Sequence, residues 1–328
     1  MRILVTGSSG LIGTKLCEQL ERLGHLVRRF DINPSLSTYS APEDILDAAA
    51  RKEAINNIDG VIHLAAVSRV IDAELDSERC IKVNVNGTQA LISDLVKSGE
   101  YPWLIYGSSR EVYGIPEKIP ADENLEPKPV NVYGESKVAA ESSVREYNES
   151  TGATSIIFRF SNVYGSVNDH ATRVIPAFIR SALIEENIRI DGNDHVFDFT
   201  HVDDTVNAII KAVSMIEMGV LLGCHTLNVC TERGTNLGEL VNIIVSITHT
   251  KPSIIQGEPR KYDVPYFIGS STKLSHVLGV NCKIALEDGI TLLVEDFKQH
   301  LESSSAKGVS SSSSSELSTN CPAEEGVN

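Results

Sequence analysis

Tyr133 and Lys137 stand four residues apart in Tyr-Gly-Glu-Ser-Lys, the spacing that puts two side chains on one face of a helix. A phenol is a poor base at neutral pH, but a nearby cation favours its phenolate, and Lys137 would supply part of that field. Taken alone, the pair also describes a tyrosine packed on a core with a solvated lysine one turn on. Upstream, Trp103–Tyr106 runs into Gly107-Ser-Ser-Arg-Glu-Val-Tyr-Gly114. This places hydroxyls where a strand ends, the edge at which open α/β sheets bind ligands.

A second cluster follows the first apolar run, Ile3-Leu-Val5, in Thr6-Gly-Ser-Ser-Gly-Leu-Ile-Gly13. Gly7 would open a tight turn, Gly10 would let backbone approach a phosphate, and Gly13 would let helix pack on strand. Backbone N–H groups and the positive end of the next helix would then face a pyrophosphate. Spaced glycines also make ordinary turns, but Asp31 ends the second apolar run 18 residues after Gly13. That is close to the roughly 20 expected for a carboxylate accepting ribose hydroxyls. Such a carboxylate repels a 2′-phosphate, which favours NAD over NADP. Arg28 and Arg29 either soften that preference or are solvated strand residues.

The elements that must position these groups read as an α/β chain. Ile3–Val5, Leu26–Phe30, Val61–Leu64, Trp103–Tyr106 and Ser155–Phe160 are short apolar runs with helical patterns between most of them, as in a buried parallel, doubly wound sheet. After about Gly165 the elements shorten, which suggests a smaller lobe over the sheet's carboxyl edge. From about Ser303 the chain is polar, with serine unbroken from Ser310 to Ser315, and is expected to be a disordered tail.

With 328 residues, 41% of them hydrophobic, the chain can bury a sizeable core. No stretch nears the roughly 18 apolar residues of a membrane helix. The first strand runs straight into a glycine turn, so no signal peptide is expected and a cytoplasmic location is. Six cysteines form no C-x-x-C pair and read as reduced thiols. Nine histidines lack a ligating pattern, and no metal is expected. A net charge of −15 argues against non-specific nucleic-acid binding, though not against a small anionic ligand held by local arginines.

Together these segments resemble the extended short-chain dehydrogenases/reductases, the NAD-dependent nucleotide-sugar epimerases and dehydratases. The resemblance covers roughly residues 1 to 300. It rests on Thr6–Gly13, Asp31, Asp44-Ile45, His63-Leu-Ala-Ala66, Asn84-Val-Asn-Gly-Thr88, Ser108–Gly114, Tyr133–Lys137 and Arg159-Phe-Ser-Asn-Val-Tyr-Gly165. It implies a Rossmann-like NAD-binding domain over 1–165 and a C-terminal substrate-binding lobe over 166–302, some of whose elements return to the core. A serine-rich tail would cover 303–328.

By the same resemblance, Tyr133 is the acid/base, Lys137 its partner and Ser109 the hydroxyl on the substrate oxygen. NAD would be held by Gly7, Ser9, Gly10, Leu11, Ile12, Gly13, Asp31, Asp44, Ile45, Leu64, Ala65, Ala66, Asn84, Tyr133 and Lys137. Arg110, Asn162 and Arg260 would meet the nucleotide-sugar. The activity implied is C4 epimerisation of a UDP-sugar through a 4-keto sugar. A homodimer through the helices around Ile81–Val96 and Tyr133–Tyr147 is also implied.

Departures mark the branch. Dehydratases of this family carry aspartate then glutamate after the catalytic hydroxyl, whereas this chain has Arg110-Glu111. An arginine stays charged and cannot be the acid. Glu111 either abstracts a proton or pairs with Arg110. Phe197 replaces the family's arginine in Val196-Phe-Asp-Phe-Thr-His-Val-Asp-Asp204, so a phosphate contact would come from elsewhere, with Arg173 and Arg189 as candidates. Asp203 and Asp204 read as a helix N-cap, and Asp191–Asp194 as a turn. Decarboxylase, dehydratase, 4-ketoreductase and a non-catalytic dinucleotide sensor are the alternatives.

Overall fold

The computed structural model describes residues 1–33 and 41–312. The first half of the chain builds β1 (Arg2–Thr6), α1 (Leu11–Arg22), β2 (Leu26–Phe30), α2 (Ala48–Ala54), β3 (Gly60–His63), α3 (Val70–Leu75) and α4 (Ser77–Ile81). A π-helical turn over Lys82–Gly87 leads into α5 (Thr88–Ser98), then β4 (Trp103–Ser109), a 3₁₀ turn at Arg110–Tyr113, α6 (Val132–Thr151) and β5 (Ser155–Phe160). The second half adds β6 (Asn162–Tyr164), α7 (Val174–Leu183), β7 (Ile188–Asp191), β8 (Val196–His201), α8 (Val202–Glu217) and β9 (Cys224–Val229). It ends with β10 (Gly234–Asn236), α9 (Leu237–Thr248), β11 (Ile254–Gly257), α10 (Thr272–Leu278) and α11 (Leu286–Ser312). The rest of the serine-rich stretch, 313–328, lies outside the described residues.

The main sheet has the order β2-β1-β3-β4-β5-β9 and is parallel throughout. β3 and β4 are buried along their whole length, because helices cover both faces. Leu16 and Leu20 of α1 pack with Val206 and Ile209 of α8 on one face. Leu91 and Leu95 of α5 pack with Val144 and Tyr147 of α6 on the other. Strand order reverses between β1 and β3, and such a switch point opens a crevice at the carboxyl ends of the strands.

Two smaller sheets, β10-β8-β6 and β11-β7, form the second lobe around Phe178, Ile179, Leu240 and Ile244. β9 then rejoins the main sheet beside β5. The N-cap expected at Asp203 or Asp204 falls elsewhere. α8 starts at Val202, His201 Nδ1 accepts from the Asp203 N–H, and both aspartates sit in the first turn, where carboxylates suit the helix dipole.

Candidate active site

β1 stops at Thr6 because the chain must turn. Gly7 takes φ +70°, and its N–H donates to the Phe30 carbonyl at 2.9 Å. A Cβ on Gly7 would lie 2.7 Å from Ala65 N and Leu64 C, and one on Gly13 would lie 2.1 Å from the Gly7 carbonyl oxygen. Both glycines are therefore demanded by the chain itself. Gly10 is not: a Cβ there would meet only the Gly7 oxygen, at an ordinary 3.4 Å. Its bare backbone faces open space.

That space is a cleft of about 1370 Å³ at the switch point. Gly7, Ser9, Gly10, Leu11, Ile12 and Gly13 line one part of it, with Asp31, Asp44 and Ile45 beyond, and Leu64, Ala65 and Ala66 along the wall. Asp31 accepts from the Ser9 and Asn33 N–H groups, both at 2.9 Å, which fixes its carboxylate beside the turn. Arg28 is paired with Glu43 and Arg29 with Glu21. Both charges are thus already answered within the chain. The wall at Ile45 is held from behind, where buried Arg51 donates to its carbonyl at 2.7 Å and to Asp94 at 2.8 Å.

The other end of the cleft is floored by β4 and the start of α6. Asn131 caps α6, its Oδ1 accepting from the Gly134 N–H at 2.8 Å, and so sets Tyr133 in the first turn. Lys137, one turn on, donates to the Gly107 carbonyl at 2.7 Å and lies 4.8 Å and 5.7 Å from the rings of Tyr106 and Tyr133. Ser109 Oγ accepts from the Glu111 N–H at 3.2 Å. Tyr133, Lys137 and Ser109 all line the cleft.

Burial dominates their titration. It pushes the Tyr133 phenol up to about 12, opposed first by the Arg173 guanidinium and then by the Ser109 hydroxyl. It pushes Lys137 down to about 8, because an ammonium loses its hydration there.

Arg110 and Glu111 form an ion pair of 2.8 Å with both side chains buried. The second Glu111 oxygen accepts from Asn131 Nδ2 at 2.9 Å. The Arg110 guanidinium lies 5.2 Å from the Phe197 ring and 5.5 Å from the Phe267 ring. Asn162, Arg260, Arg173 and Arg189 line the same cleft. Asn84 does not: it is 1% exposed, with its amide turned to the back of Val67. Arg173, which bonds the Ser68 carbonyl at 3.3 Å and pairs with Asp169 at 3.5 Å, is the cation acting most strongly on Tyr133. Its sequence position beyond Gly165 gives no hint of that proximity. Among the described residues no group of three or more His, Cys, Asp or Glu could hold a metal, and no helix is long and apolar enough to cross a membrane.

The sequence pattern of the NAD dependent epimerase/dehydratase family matches residues 3–229. A UDP-glucose 4-epimerase of Rhizobium meliloti is 28% identical over 302 residues, 84% of this chain and 91% of that protein. A GDP-6-deoxy-D-talose 4-dehydrogenase of Aggregatibacter actinomycetemcomitans is 30% identical over 291 residues, 85% of this chain and 92% of that protein. The structure of a UDP-glucose 4-epimerase from Thermotoga maritima, solved with UDP-glucose, superposes with a TM-score of 0.85 at 28% identity. It covers 92% of this chain and 100% of that one.

Proposed function

The chain belongs to the NAD-dependent epimerase/dehydratase family, and from that premise we propose that it inverts C4 of a UDP-sugar through a transient 4-keto sugar. The observation that carries this reading is the meeting of Tyr133, Ser109 and Lys137 in the same cleft as the glycine turn. A dinucleotide fits the other end. Gly10 leaves backbone open to a pyrophosphate, Asp31 suits ribose hydroxyls, and Asp44 and Ile45 suit the adenine end. The pairing of Arg28 and Arg29 with glutamates supports NAD over NADP.

NAD, when bound, supplies a hydride acceptor that is restored in each cycle. The chain's own residues handle the proton. Tyr133 takes it from O4 of the sugar and returns it, while Ser109 donates a hydrogen bond to that oxygen as it gains carbonyl character. In the free cleft Tyr133 is a neutral phenol even with the Arg173 guanidinium opposing its burial, so the added positive charge of bound NAD would be what draws it toward the phenolate. Arg260, Asn162 and Arg110 are assigned to the nucleotide-sugar. Glu111 has both oxygens occupied, which favours an epimerase over a dehydratase.

A 4-ketoreductase reading has a specific point in its favour, the 30% identity to a sugar-nucleotide 4-dehydrogenase. The test is incubation with UDP-, GDP- and dTDP-sugars, followed by mass and NMR. Unchanged mass with inverted C4 and no net use of cofactor supports epimerisation. Stoichiometric use of reduced cofactor moves the assignment to the reductase, and loss of water or carbon dioxide overturns both. A homodimer is proposed as well, supported by exposed Leu75, Ile81 and Val96 on the helices flanking α6, and is checked by light scattering.

A further inference from the structure

Beneath the cleft, without lining it, Thr6, His63, Thr88, Asn84 and Ser136 form one connected run, and each is at most 1% exposed. The directions of its hydrogen bonds follow from N–H groups that can only donate and carbonyls that can only accept. The Val67 N–H faces the Asn84 amide at 2.8 Å, so the facing atom is Oδ1. Nδ2 then donates to the Val67 carbonyl at 3.1 Å and to Ser136 Oγ at 2.9 Å. Ser136 passes its own proton to the Tyr133 carbonyl at 2.7 Å.

At the other end the Ala65 N–H donates to Thr6 Oγ1 at 3.2 Å. Thr6 Oγ1 is 2.6 Å from His63 Nδ1, and His63 Nε2 is 2.9 Å from Thr88 Oγ1. Thr88 in turn donates to the Asn84 carbonyl at 2.7 Å. All of these are satisfied together only if Thr6 donates to a bare Nδ1 and His63 carries its proton on Nε2. The opposite tautomer would strip the Thr6 proton and the Asn84 carbonyl of these partners, and a buried polar group left unpaired is costly. Burial and the Lys137 charge push His63 down to about 3, so the ring is neutral and a single tautomer can persist.

We propose that this run is a positioning spine in which His63, as the Nε2–H tautomer, and Asn84 tie the glycine turn and the Ala65–Val67 wall to the first turn of α6. It rests on the epimerase reading for what it positions: the seat of the dinucleotide against Tyr133. The two ends belong to segments far apart in the chain, and the spine fixes their spacing from inside the protein before any ligand arrives. Asn84 lies within the π-helical turn of Lys82–Gly87, a rare geometry found frequently at functional sites. None of the five side chains touches the cleft, so they are positioning residues, not catalytic ones.

Two measurements test it. Nitrogen-15 NMR of the labelled histidines should show His63 protonated on Nε2 and unchanged between pH 5 and 8. A proton on Nδ1, or titration in that range, overturns the spine. Ser136→Ala and Thr6→Val remove hydroxyls at opposite ends. Each should weaken NAD binding at least about fivefold and shift the pKa seen in the pH dependence of turnover, with the pair less than additive. Thr6→Ser, which keeps the hydroxyl, should restore both. Variants that lower only the melting temperature, with NAD affinity and pH profile unchanged, also overturn it. Failure of the unmodified protein to bind NAD would instead sink the epimerase reading, and the His63 tautomer would still decide the spine.

Discussion

The Lys137 ammonium sits 2.7 Å from the Gly107 carbonyl oxygen, buried in the wall of the cleft with the Tyr106 ring 4.8 Å away. One carbonyl and one ring replace its water poorly, which is why burial brings it down to about 8. Its folded pKa lies below its unfolded value, so between about pH 8 and 10.5 the unfolded chain binds more protons than the folded one. Stability from this group therefore rises with pH across that window. Lys137→Met removes the buried charge. Relative to the unmodified protein, it should be more stable at pH 7 by on the order of 1–3 kcal/mol, and the advantage should shrink towards pH 10. Urea unfolding at the two pH values measures this, and a difference independent of pH would refute it.

Tyr133→Phe removes the proton carrier and leaves the ring. Turnover should fall by at least about 10²–10⁴-fold, while NAD binding, read by fluorescence, stays within a few-fold of normal. Arg173 is the strongest charge opposing the burial of this phenol. Arg173→Met should accordingly move the acid limb of the kcat/KM profile to higher pH.

Glu111 serves structure if its two oxygens are held as they stand here, by Arg110 and Asn131. Removing one member of a buried ion pair leaves the other uncompensated, at a cost of about 3–5 kcal/mol. Glu111→Gln should therefore lower the unfolding midpoint. The double variant Arg110→Met with Glu111→Gln should recover part of the loss. A proton-abstracting Glu111 would behave differently: the single variant would keep its stability and lose turnover.

Strands β1, β3 and β4 could be read from the sequence because each holds a nearly unbroken apolar stretch, and β2 and β5 because apolar residues flank their arginines. β9 could not, since Cys-His-Thr-Leu-Asn-Val starts exposed and becomes buried only in its last three residues. Its membership of the main sheet is settled by the neighbouring β5. The start of α8 was displaced for a similar reason: a histidine ring nitrogen does the capping, and residue type alone points to the aspartates. The pieces of the site were legible because each is a short local pattern. What escaped are relations between patterns, such as the bond of Asn84 with Ser136, 52 residues apart, and the charge of Arg173 acting on Tyr133. Asn84 was placed against NAD by the family resemblance alone, and its side chain turns inward to Val67 instead.

The two glycines three residues apart separate fold from ligand. Gly13 is needed by the protein: a methyl there would sit 2.1 Å from the Gly7 carbonyl oxygen, inside backbone that cannot yield without moving β1 from α1. Gly13→Ala should thus cost stability, about 1–3 kcal/mol as for other overpacked sites, and lose NAD binding with it. Gly10 has no such neighbour, and its φ of −75° is open to any residue. Gly10→Ala should leave the unfolding curve within about 0.5 kcal/mol of the unmodified protein. A methyl at Gly10 would nevertheless stand where a pyrophosphate must approach the α1 N-terminus, so NAD affinity should drop at least about tenfold. Thermal melts and NAD titrations of the two variants give the answer together. If Gly10→Ala bound NAD normally, the glycine turn would be a turn and no more, and the dinucleotide would have to be seated elsewhere in the cleft.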